Sequence, residues 1–305
     1  MDFRIIFRQF FRKIINPESR LYKNLQSFYH YIASVKRFRK RGILSFNVAI
    51  TKHCNLNCAY CYAFSPVAEE SYYDIDVFKK DIRRISELTN RRIKNFSISG
   101  GEPLLHPELA DFLESARKYF DWLPQENIGN IFIITNGTLL LKQPESFWNS
   151  CKENNIEIRI TKYPIRLDID TIRSTAQKYG IKLTYYSETD KVEKKMDALK
   201  LDISGQQDPV DSFIRCFLAT DCVNLYKGRL YVCFIPVNID SFNKHFNLDI
   251  ALTGDDSIDI YKVSNINEIF DFLRKPIPFC RYCDWKNSKP NLTWRVSKKD
   301  LSEWT

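Results

Sequence analysis

The sequence predicts an α/β fold built on a mostly parallel sheet. Short apolar segments alternate with longer amphipathic ones, and strands that alternate with helices of roughly 10–15 residues are typical of βαβ units. The 305 residues are 44% hydrophobic and 27% charged, which suits a buried core and excludes a disordered chain. No apolar run in the sequence approaches the roughly 18 residues that a membrane-spanning helix needs. We therefore expect a folded cytoplasmic protein.

The predicted elements follow one another from residue 44. Strand-like runs lie at 44–50, 94–98, 131–134, 156–160 and 181–186. Helical patterns separate them at about 74–90, 107–120, 144–154 and 169–179. Near residue 205 the pattern changes to a polar break, GQQDPVD, and the segment LYKGRLYVCFIP after it predicts a β-hairpin. These changes divide the chain into residues 1–42, 43–204 and 205–305.

Residues 1–42 carry the whole net charge of +9. They hold eleven Lys and Arg residues against two acidic ones, so the rest of the chain is electrically balanced. Their apolar side chains recur at helical spacing beside Arg4, Arg8 and Arg12, which predicts a basic amphipathic helical arm. Such a helix can lie on an anionic membrane surface, and packing against the main fold is an equal alternative. No zinc-finger or helix-turn-helix pattern is present, so no nucleic acid partner is expected.

The first of two cysteine groups directly follows the first predicted strand. Within AITKHCNLNCAYCYAF the spacing is Cys54-x3-Cys58-x2-Cys61. Three neighbouring thiolates can bind three irons of a [4Fe–4S] cluster and leave the fourth iron open for a small molecule. A structural zinc site requires four ligands. His53 could supply the fourth, so zinc stays open as an alternative on these residues alone.

Polar turns end the next two predicted strands. SISGGEPLL, at 97–105, supplies adjacent glycines that let the backbone approach a ligand, and its Glu102 can accept a hydrogen bond from an ammonium group. TNG, at 135–137, places polar groups at the end of the third strand. In a barrel of parallel strands these ends line one mouth, where such folds keep their active sites. The order of the three motifs along the chain argues against coincidence.

Together the motifs resemble the radical S-adenosylmethionine (radical SAM) superfamily over about residues 44–200. The resemblance implies a partial (β/α)6 TIM-like barrel with a [4Fe–4S] cluster on the three cysteines. The open iron would be chelated by the amino and carboxylate groups of SAM. By resemblance, Glu102 with the backbone of Gly100 and Gly101 holds the amino group, and Tyr60 packs near the adenine. Weaker candidates for the ribose or carboxylate are Thr135 and Asn136, followed by Thr161 with Arg159.

The chemistry that the resemblance implies is reductive cleavage of SAM. An electron enters the cluster and then the sulfonium, and the C5′–S bond breaks. The resulting 5′-deoxyadenosyl radical takes a hydrogen atom from an unactivated C–H bond. The protein binds, orients and shields these groups. A reducing partner such as flavodoxin or ferredoxin is therefore expected.

A second cysteine group lies in the last hundred residues. Cys216, Cys233, Cys280 and Cys283 could make a four-cysteine zinc site or a fully ligated [4Fe–4S] cluster. The pattern resembles the C-terminal extension of SPASM/Twitch radical SAM enzymes. Because no cysteine follows Cys283, the shorter Twitch form with one auxiliary [4Fe–4S] cluster is implied, similar to an aminocyclitol dehydrogenase of antibiotic biosynthesis.

The two remaining cysteines have no firm role. Cys222 could replace Cys216 as a ligand, could donate a hydrogen atom to a substrate radical, or could be a spare thiol. Cys151 lies in a predicted helix and is expected to be part of the core.

The leading functional hypothesis is oxidation of a small or carbohydrate-like substrate, for example an alcohol to a ketone, with the auxiliary cluster as electron acceptor. A peptide or protein maturase of the SPASM type ranks below it, because the N-terminal arm lacks the strand patterns of a peptide-binding module. Radical epimerisation, with Cys222 as hydrogen donor, is a third hypothesis. A zinc-bound structural or nucleic-acid-binding protein ranks last, since it leaves the GGEP turn without a purpose.

Overall fold

The computed structural model of the chain describes residues 45–90, 92–121, 130–186, 194–216, 218–219 and 222–305, together with Leu21, Leu25 and Ile43. Apart from Leu21 and Leu25, the predicted arm at 1–42 lies outside these residues. Within the described ranges, every helix is too short or too polar to cross a membrane.

Ten strands are present in the described part of the chain. They are β1 (Phe46–Ala49), β2 (Phe96–Ser99), β3 (Ile131–Thr135), β4 (Glu157–Ile160), β5 (Leu183–Tyr185), β6 (Met196–Leu201), β7 (Val223–Tyr226), β8 (Arg229–Tyr231), β9 (Ile258–Asp259) and β10 (Cys283–Leu292). The main sheet has the order β5-β4-β3-β2-β1-β7-β8-β9. Its first six strands in that order run parallel, and β8 and β9 add antiparallel pairs. The predicted α/β fold is confirmed.

Helices separate the parallel strands. The bounds are α1 (Ile75–Thr89), α2 (Leu109–Tyr119), α3 (Glu145–Glu153), α4 (Ile169–Lys178), α5 (Pro209–Arg215), α6 (Ile235–Phe246) and α7 (Ile266–Leu273). Aspartates begin three of them, because a carboxylate at the N-cap accepts hydrogen bonds from otherwise unpaired amides: Asp74, Asp168 and Asp208. The first four helices match the predicted ones to within two residues at each end.

The hydrophobic core lies on one face of the sheet. Because side chains alternate between faces along a strand, every second residue points to the same side. The apolar side chains on one side of the strands are fully buried and form one cluster with helix residues such as Phe78 and Phe112. The strand residues of this cluster include Phe46, Val48, Phe96, Ile98, Ile133 and Ile158. Cys151 of α3 is also fully buried, as predicted.

The opposite face of the sheet is polar. On β1, Asn47 donates from Nδ2 to Oδ1 of Asn224 on β7 at 2.6 Å, and its own Oδ1 accepts from the hydroxyls of Ser97 and Ser99 at 2.8 and 2.7 Å. Further along the sheet, Glu157, Arg159 and Thr184 form another hydrogen-bonded group on this face. The sheet therefore has an apolar side packed into the core and a hydrogen-bonding side.

The C-terminal third differs from the predicted elements in two ways. The predicted hairpin is present as β7 and β8, with Lys227 and Gly228 at positive φ in its turn. However, β7 also pairs parallel to β1, so the main sheet continues past residue 205. Strands β6 and β10 were not predicted; they pair antiparallel in a separate two-stranded sheet with register shifts. The polar sequence of β10, CDWKNSKPNL, gives no strand pattern to read.

Candidate active site

The first cysteine group lies in the loop after β1, beside the carboxyl ends of the parallel strands. Cys58 is buried, and Cys54 and Cys61 are half-buried. The three thiols are close enough to interact electrostatically, and burial is the main reason why the pKa values of Cys54 and Cys58 rise to about 12. The sulfur of Cys54 accepts hydrogen bonds from the Leu56 amide at 3.3 Å and from Nδ2 of Asn136 at 3.7 Å. These donors suit a sulfur that carries negative charge.

The two glycines of the GGEP turn are required by a close approach of two backbone segments. The amide of Gly101 donates to the Thr51 carbonyl at 2.9 Å, and that of Glu102 donates to the His53 carbonyl at 3.1 Å. A Cβ atom at Gly100 would overlap Thr51, and one at Gly101 would overlap the carbonyl of His53. Only glycine lets this turn lie directly against the residues that lead into the cysteine loop.

Glu102 joins the ends of β2 and β3. Its side chain is 1% exposed; Oε1 accepts from the Leu104 amide at 3.1 Å and from the Thr135 hydroxyl at 2.7 Å, while Oε2 accepts from the Asn136 amide at 2.9 Å. Burial raises the pKa of this carboxyl to about 7 although the three hydrogen bonds act in the opposite direction. A cation next to Glu102 would favour its ionised form. The predicted role for the SAM amino group is compatible with this position.

The TNG turn meets the cysteine loop through Asn136. Besides Cys54, its Nδ2 group donates to Oδ1 of Asn55 at 2.9 Å. Thr161 reaches the same mouth at the end of β4, where its amide donates to the Thr135 carbonyl at 2.8 Å. Three separate parts of the predicted site, after β1, β3 and β4, are thus adjacent in space.

Arg159 lies deeper, on the polar face of the sheet. Its Nη2 donates to Glu157 at 2.8 Å, and its guanidinium carbon lies 3.8 Å from the ring centre of Phe132. Four donors surround the Glu157 carboxylate and hold its pKa down at about 2 despite burial. The structure therefore places Arg159 in a hydrogen-bonded wall below the mouth, with its side chain 31% exposed.

The carboxyl-terminal segment contacts the cysteine loop, which the sequence analysis missed. Nε1 of Trp294 donates to Sγ of Cys58 at 3.1 Å, and Nε1 of Trp304 donates to the Cys61 carbonyl at 3.0 Å. Arg295 donates to the hydroxyl of Tyr60 at 3.2 Å and stacks 4.9 Å from its ring centre. Two tryptophans in the last twelve residues are a compositional signal, but their spacing points to no particular partner.

The second cysteine group is assembled from three parts of the chain. Cys216 ends α5, Cys233 follows β8, and Cys280 and Cys283 lie at a 3₁₀ turn over 278–282 that packs against α5. Cys233 and Cys283 have pKa values raised well above the ordinary thiol value by burial, and each of these thiols interacts electrostatically with Cys216 and Cys280. The four predicted cysteines therefore lie together.

Cys222 has a different environment. Asn224, on the polar face of the sheet, donates from Nδ2 to Sγ of Cys222 at 3.8 Å. Because the electrostatic partners of the three buried thiols include Cys216, the geometry favours Cys216 over Cys222 as the fourth ligand.

The arrangement of the cysteines is compatible with iron–sulfur clusters. Among the described residues, no group of three or more His, Cys, Asp and Glu side chains is arranged to hold one metal ion. A [4Fe–4S] cluster makes a different demand, since each thiolate binds a separate iron. Nδ1 of His53, the alternative zinc ligand, accepts a hydrogen bond from the Ser71 amide at 3.2 Å. Both groups of neighbouring thiols, buried or half-buried, fit iron–sulfur clusters.

Comparison with known proteins agrees with this site. Residues 48–161, which contain the cysteine loop and both turns, match the family model of the radical SAM superfamily. Residues 48–161 of this chain therefore form a radical SAM domain. The match confirms the resemblance to radical SAM enzymes, which bind SAM at a [4Fe–4S] cluster.

The curated relatives described next match between 32% and 69% of the chain. A probable GTP 3′,8-cyclase of Methanococcus maripaludis (strain C5) is 28% identical over 225 residues, which are 69% of this chain and 65% of the relative. The GTP 3′,8-cyclase of Chlorobaculum tepidum is 31% identical over 96 residues, 32% of this chain and 26% of the relative. The chain thus spans less than two thirds of the length of these relatives.

Two solved structures are also similar to this chain, at lower sequence identity than the curated relatives. BtrN in complex with AdoMet and 2-DOIA is 16% identical, with a TM-score of 0.48 over 85% of this chain and 96% of that one. Native anSMEcpe with bound AdoMet and Kp18Cys peptide is 15% identical, with a TM-score of 0.45 over 82% and 93%. Because both TM-scores are below 0.5, no residue of the site is assigned from these two structures.

Proposed function

We propose that this radical SAM enzyme oxidises a small, hydroxyl-rich substrate of the carbohydrate or cyclitol class. The single observation that carries the proposal is the second site, where four thiols lie together and three of them are buried. Four cysteine ligands leave no iron of a cluster open to a substrate. Such a site suits electron transfer, which an oxidation needs.

At the first site, each residue group has a separate task. Cys54, Cys58 and Cys61 would hold a cluster with an open iron, and the buried carboxylate of Glu102 would accept a hydrogen bond from the SAM amino group. The Gly100–Gly101 backbone brings that carboxylate next to the cysteine loop. Tyr60, whose hydroxyl and ring contact Arg295, would pack near the adenine.

The polar face of the sheet supports a hydroxylated substrate. Its side chains offer both donors and acceptors, and two of them, Ser99 at the end of β2 and Arg159 in the wall below the mouth, are only half-buried. Most of the remaining polar groups are satisfied by one another, so the wall is rigid. A substrate with several hydroxyl groups can pair with the exposed members, whereas an apolar substrate would leave them unpaired.

The bound groups supply the reactive chemistry, namely a radical that removes one hydrogen atom from the substrate and an acceptor for the electron left behind. In an alcohol-to-ketone oxidation, the carbon loses a hydrogen atom, the hydroxyl loses a proton and one electron leaves. The protein orients the reacting carbon and excludes water. A low-potential flavodoxin or ferredoxin would deliver the electron that starts each cycle.

The test is a substrate panel with the anaerobically loaded enzyme. Amino sugars, cyclitols, GTP and short peptides are each incubated with SAM and dithionite, and 5′-deoxyadenosine and products are measured by mass spectrometry. The proposal expects 5′-deoxyadenosine together with a product that has lost two hydrogens, from a sugar or cyclitol only. A Cys54/Cys58/Cys61→Ala variant should form neither. Turnover of peptides or GTP, with sugars and cyclitols inert, would contradict the proposal.

Nucleotide cyclisation is the second candidate function. The observation that favours it is the name shared by the curated relatives, GTP 3′,8-cyclase. The matches with those of highest identity cover only about a third of this chain. The GTP arm of the substrate panel distinguishes the two candidates, because a cyclised product keeps the nucleotide and a dehydrogenated sugar does not contain it.

A further inference from the structure

The sulfur of Cys58 receives two hydrogen-bond donors that belong to neither the cysteine loop nor the glycine turn. Nε1 of Trp294 lies 3.1 Å from Sγ, and the hydroxyl of Tyr163 donates to the same sulfur. The two aromatic rings lie beside each other, with centres 6.2 Å apart. Cys58 is thus the buried cysteine of the loop, and two aromatic side chains donate hydrogen bonds to its sulfur.

Backbone pairing fixes the position of Trp294. The segment after β10 pairs with the cysteine loop, where the Ala59 amide donates to the Arg295 carbonyl at 2.9 Å and the Ser297 amide donates to the Asn57 carbonyl at 2.8 Å. Cys58 and Val296 form the antiparallel bridge between these two bonds. The register of this pairing holds the indole at the sulfur, so the contact does not depend on one side-chain rotamer alone.

A second anchor holds the same segment at its far end. Trp304 is 1% exposed, packs against Phe64 and Phe242, and donates from its indole to the Cys61 carbonyl. The cost of ordering the C-terminal residues is offset by this burial. Two cysteines of the loop are therefore held from outside by one stretch of chain.

We propose that Trp294 and Tyr163 are positioning residues that raise the reduction potential of the cluster bound by Cys54, Cys58 and Cys61. This inference rests on the proposed function. A hydrogen bond to a ligand sulfur withdraws negative charge from it, and reduction adds one negative charge to the cluster. The donors therefore stabilise the reduced form more than the oxidised form.

The same segment also connects the two cysteine sites. Strand β10 begins at Cys283, one of the four thiols of the second site, and ends at Leu292, two residues before Trp294. The residues that tune the first cluster are consequently carried on a strand that the second cluster would anchor.

The test compares Trp294→Phe and Tyr163→Phe with the wild-type full chain, both clusters loaded. Each substitution keeps a ring and removes a donor. A redox titration follows the electron paramagnetic resonance signal that changes when SAM is added, which assigns it to the first cluster. At a fixed ambient potential near the wild-type midpoint, we expect the ratio of reduced to oxidised cluster to fall roughly three- to tenfold in each variant. A tenfold fall corresponds to about 59 mV for one electron.

Trp148→Phe is the matched control. Trp148 is buried in α3 and stacks 5.9 Å from Tyr179, away from both cysteine groups, so its replacement should leave the titration unchanged. If Trp294→Phe does not hold its cluster, Tyr163→Phe decides by the same measurement. An unchanged midpoint in the loaded variants overturns the inference and leaves the proposed function standing. A wild-type protein without any SAM-responsive signal overturns the proposed function itself.

Discussion

The first cysteine site is a single loop of eight residues, whereas the second collects its four thiols from residues 216 to 283. In the loop, Cys54 and Cys61 are half-buried and face a mouth lined by three strand ends. In the second site Cys233, Cys280 and Cys283 are all buried. The comparison teaches that the two sites differ in exposure, which is the difference that the proposed division of tasks requires: a more open site for SAM and a more buried site for electron transfer.

The substitution Gly101→Ala is expected to have the largest effect, because it should damage the first cysteine site and leave the second intact. The new Cβ atom would overlap the His53 carbonyl, so the turn must move away from the cysteine loop. We expect a loss of about 3 kcal/mol in the free energy of unfolding and loss of the first cluster with retention of the second, measured by denaturant unfolding and iron content.

Gly254→Ala is the control for that substitution. Gly254 has open space around its Cβ position and no positive φ, so the change should be nearly neutral. A Gly101→Ala protein with wild-type iron content and stability would show that the turn does not hold the first site together.

Separate substitutions of Cys216 and Cys222 decide which of these two cysteines belongs to the second site. Cys216→Ala removes a thiol that interacts with all three buried cysteines, and we expect the auxiliary cluster to be lost, about four irons per chain. Cys222→Ala should keep its iron, because Cys222 lies beside Asn224 on the sheet. Iron and sulfide analysis of the two variants would give the reverse pattern if Cys222 were the ligand.

Glu102→Gln tests the ligand-accepting side of the first site. The substitution removes the charge that would pair with an ammonium group and places an amide N–H₂ against donors that now point at a carboxylate. A hydrogen bond to a charged group contributes about 1.5–3 kcal/mol, so the dissociation constant for SAM should rise roughly 10- to 100-fold. Equilibrium dialysis measures it, with the exposed Glu108→Gln as control. Equal affinity in both variants would remove Glu102 from the SAM site.

The smallest effect concerns pH. Burial raises the pKa values of Cys54 and Cys58 at the first site and of Cys280 at the second to about 12. Each thiol must lose its proton to bind iron, so cluster loading should improve as the pH rises towards those values and weaken as it falls. The dependence should be steeper at the second site, where four thiols ionise together. Iron uptake by the apoprotein between about pH 7 and pH 8.5 measures this, and uptake independent of pH would contradict it.

The sequence predicted those parts of the molecule whose causes are local. Alternating strands and helices follow from hydrophobic periodicity, and Cys54, Cys58 and Cys61 are close because one short loop carries them. The sequence also predicted the GGEP turn as part of the site. The structure adds a second role for its glycines, because they let two backbone segments touch near Thr51 and His53.

The parts that the sequence did not predict depend on long-range contacts. β10 has a polar sequence and is a strand only because β6 pairs with it. Trp294 meets Cys58 across 236 positions of chain, and no spacing rule indicates such a pair. The sequence makes Arg159 a weak candidate for contact with SAM. Its position in the polar wall below the mouth follows from the register of β4 against β3 and β5, which the sequence does not give.

The most direct test of two distinct clusters is the iron and sulfide content of anaerobically purified protein. Three forms are compared: the wild type, the Cys54/Cys58/Cys61→Ala variant, and a variant with alanine at Cys216, Cys233, Cys280 and Cys283. The account predicts about eight irons in the wild type and about four in each variant, with SAM-dependent spectral changes only where the first three cysteines remain. About four irons in the wild type, unchanged by loss of the second cysteine group, would contradict it.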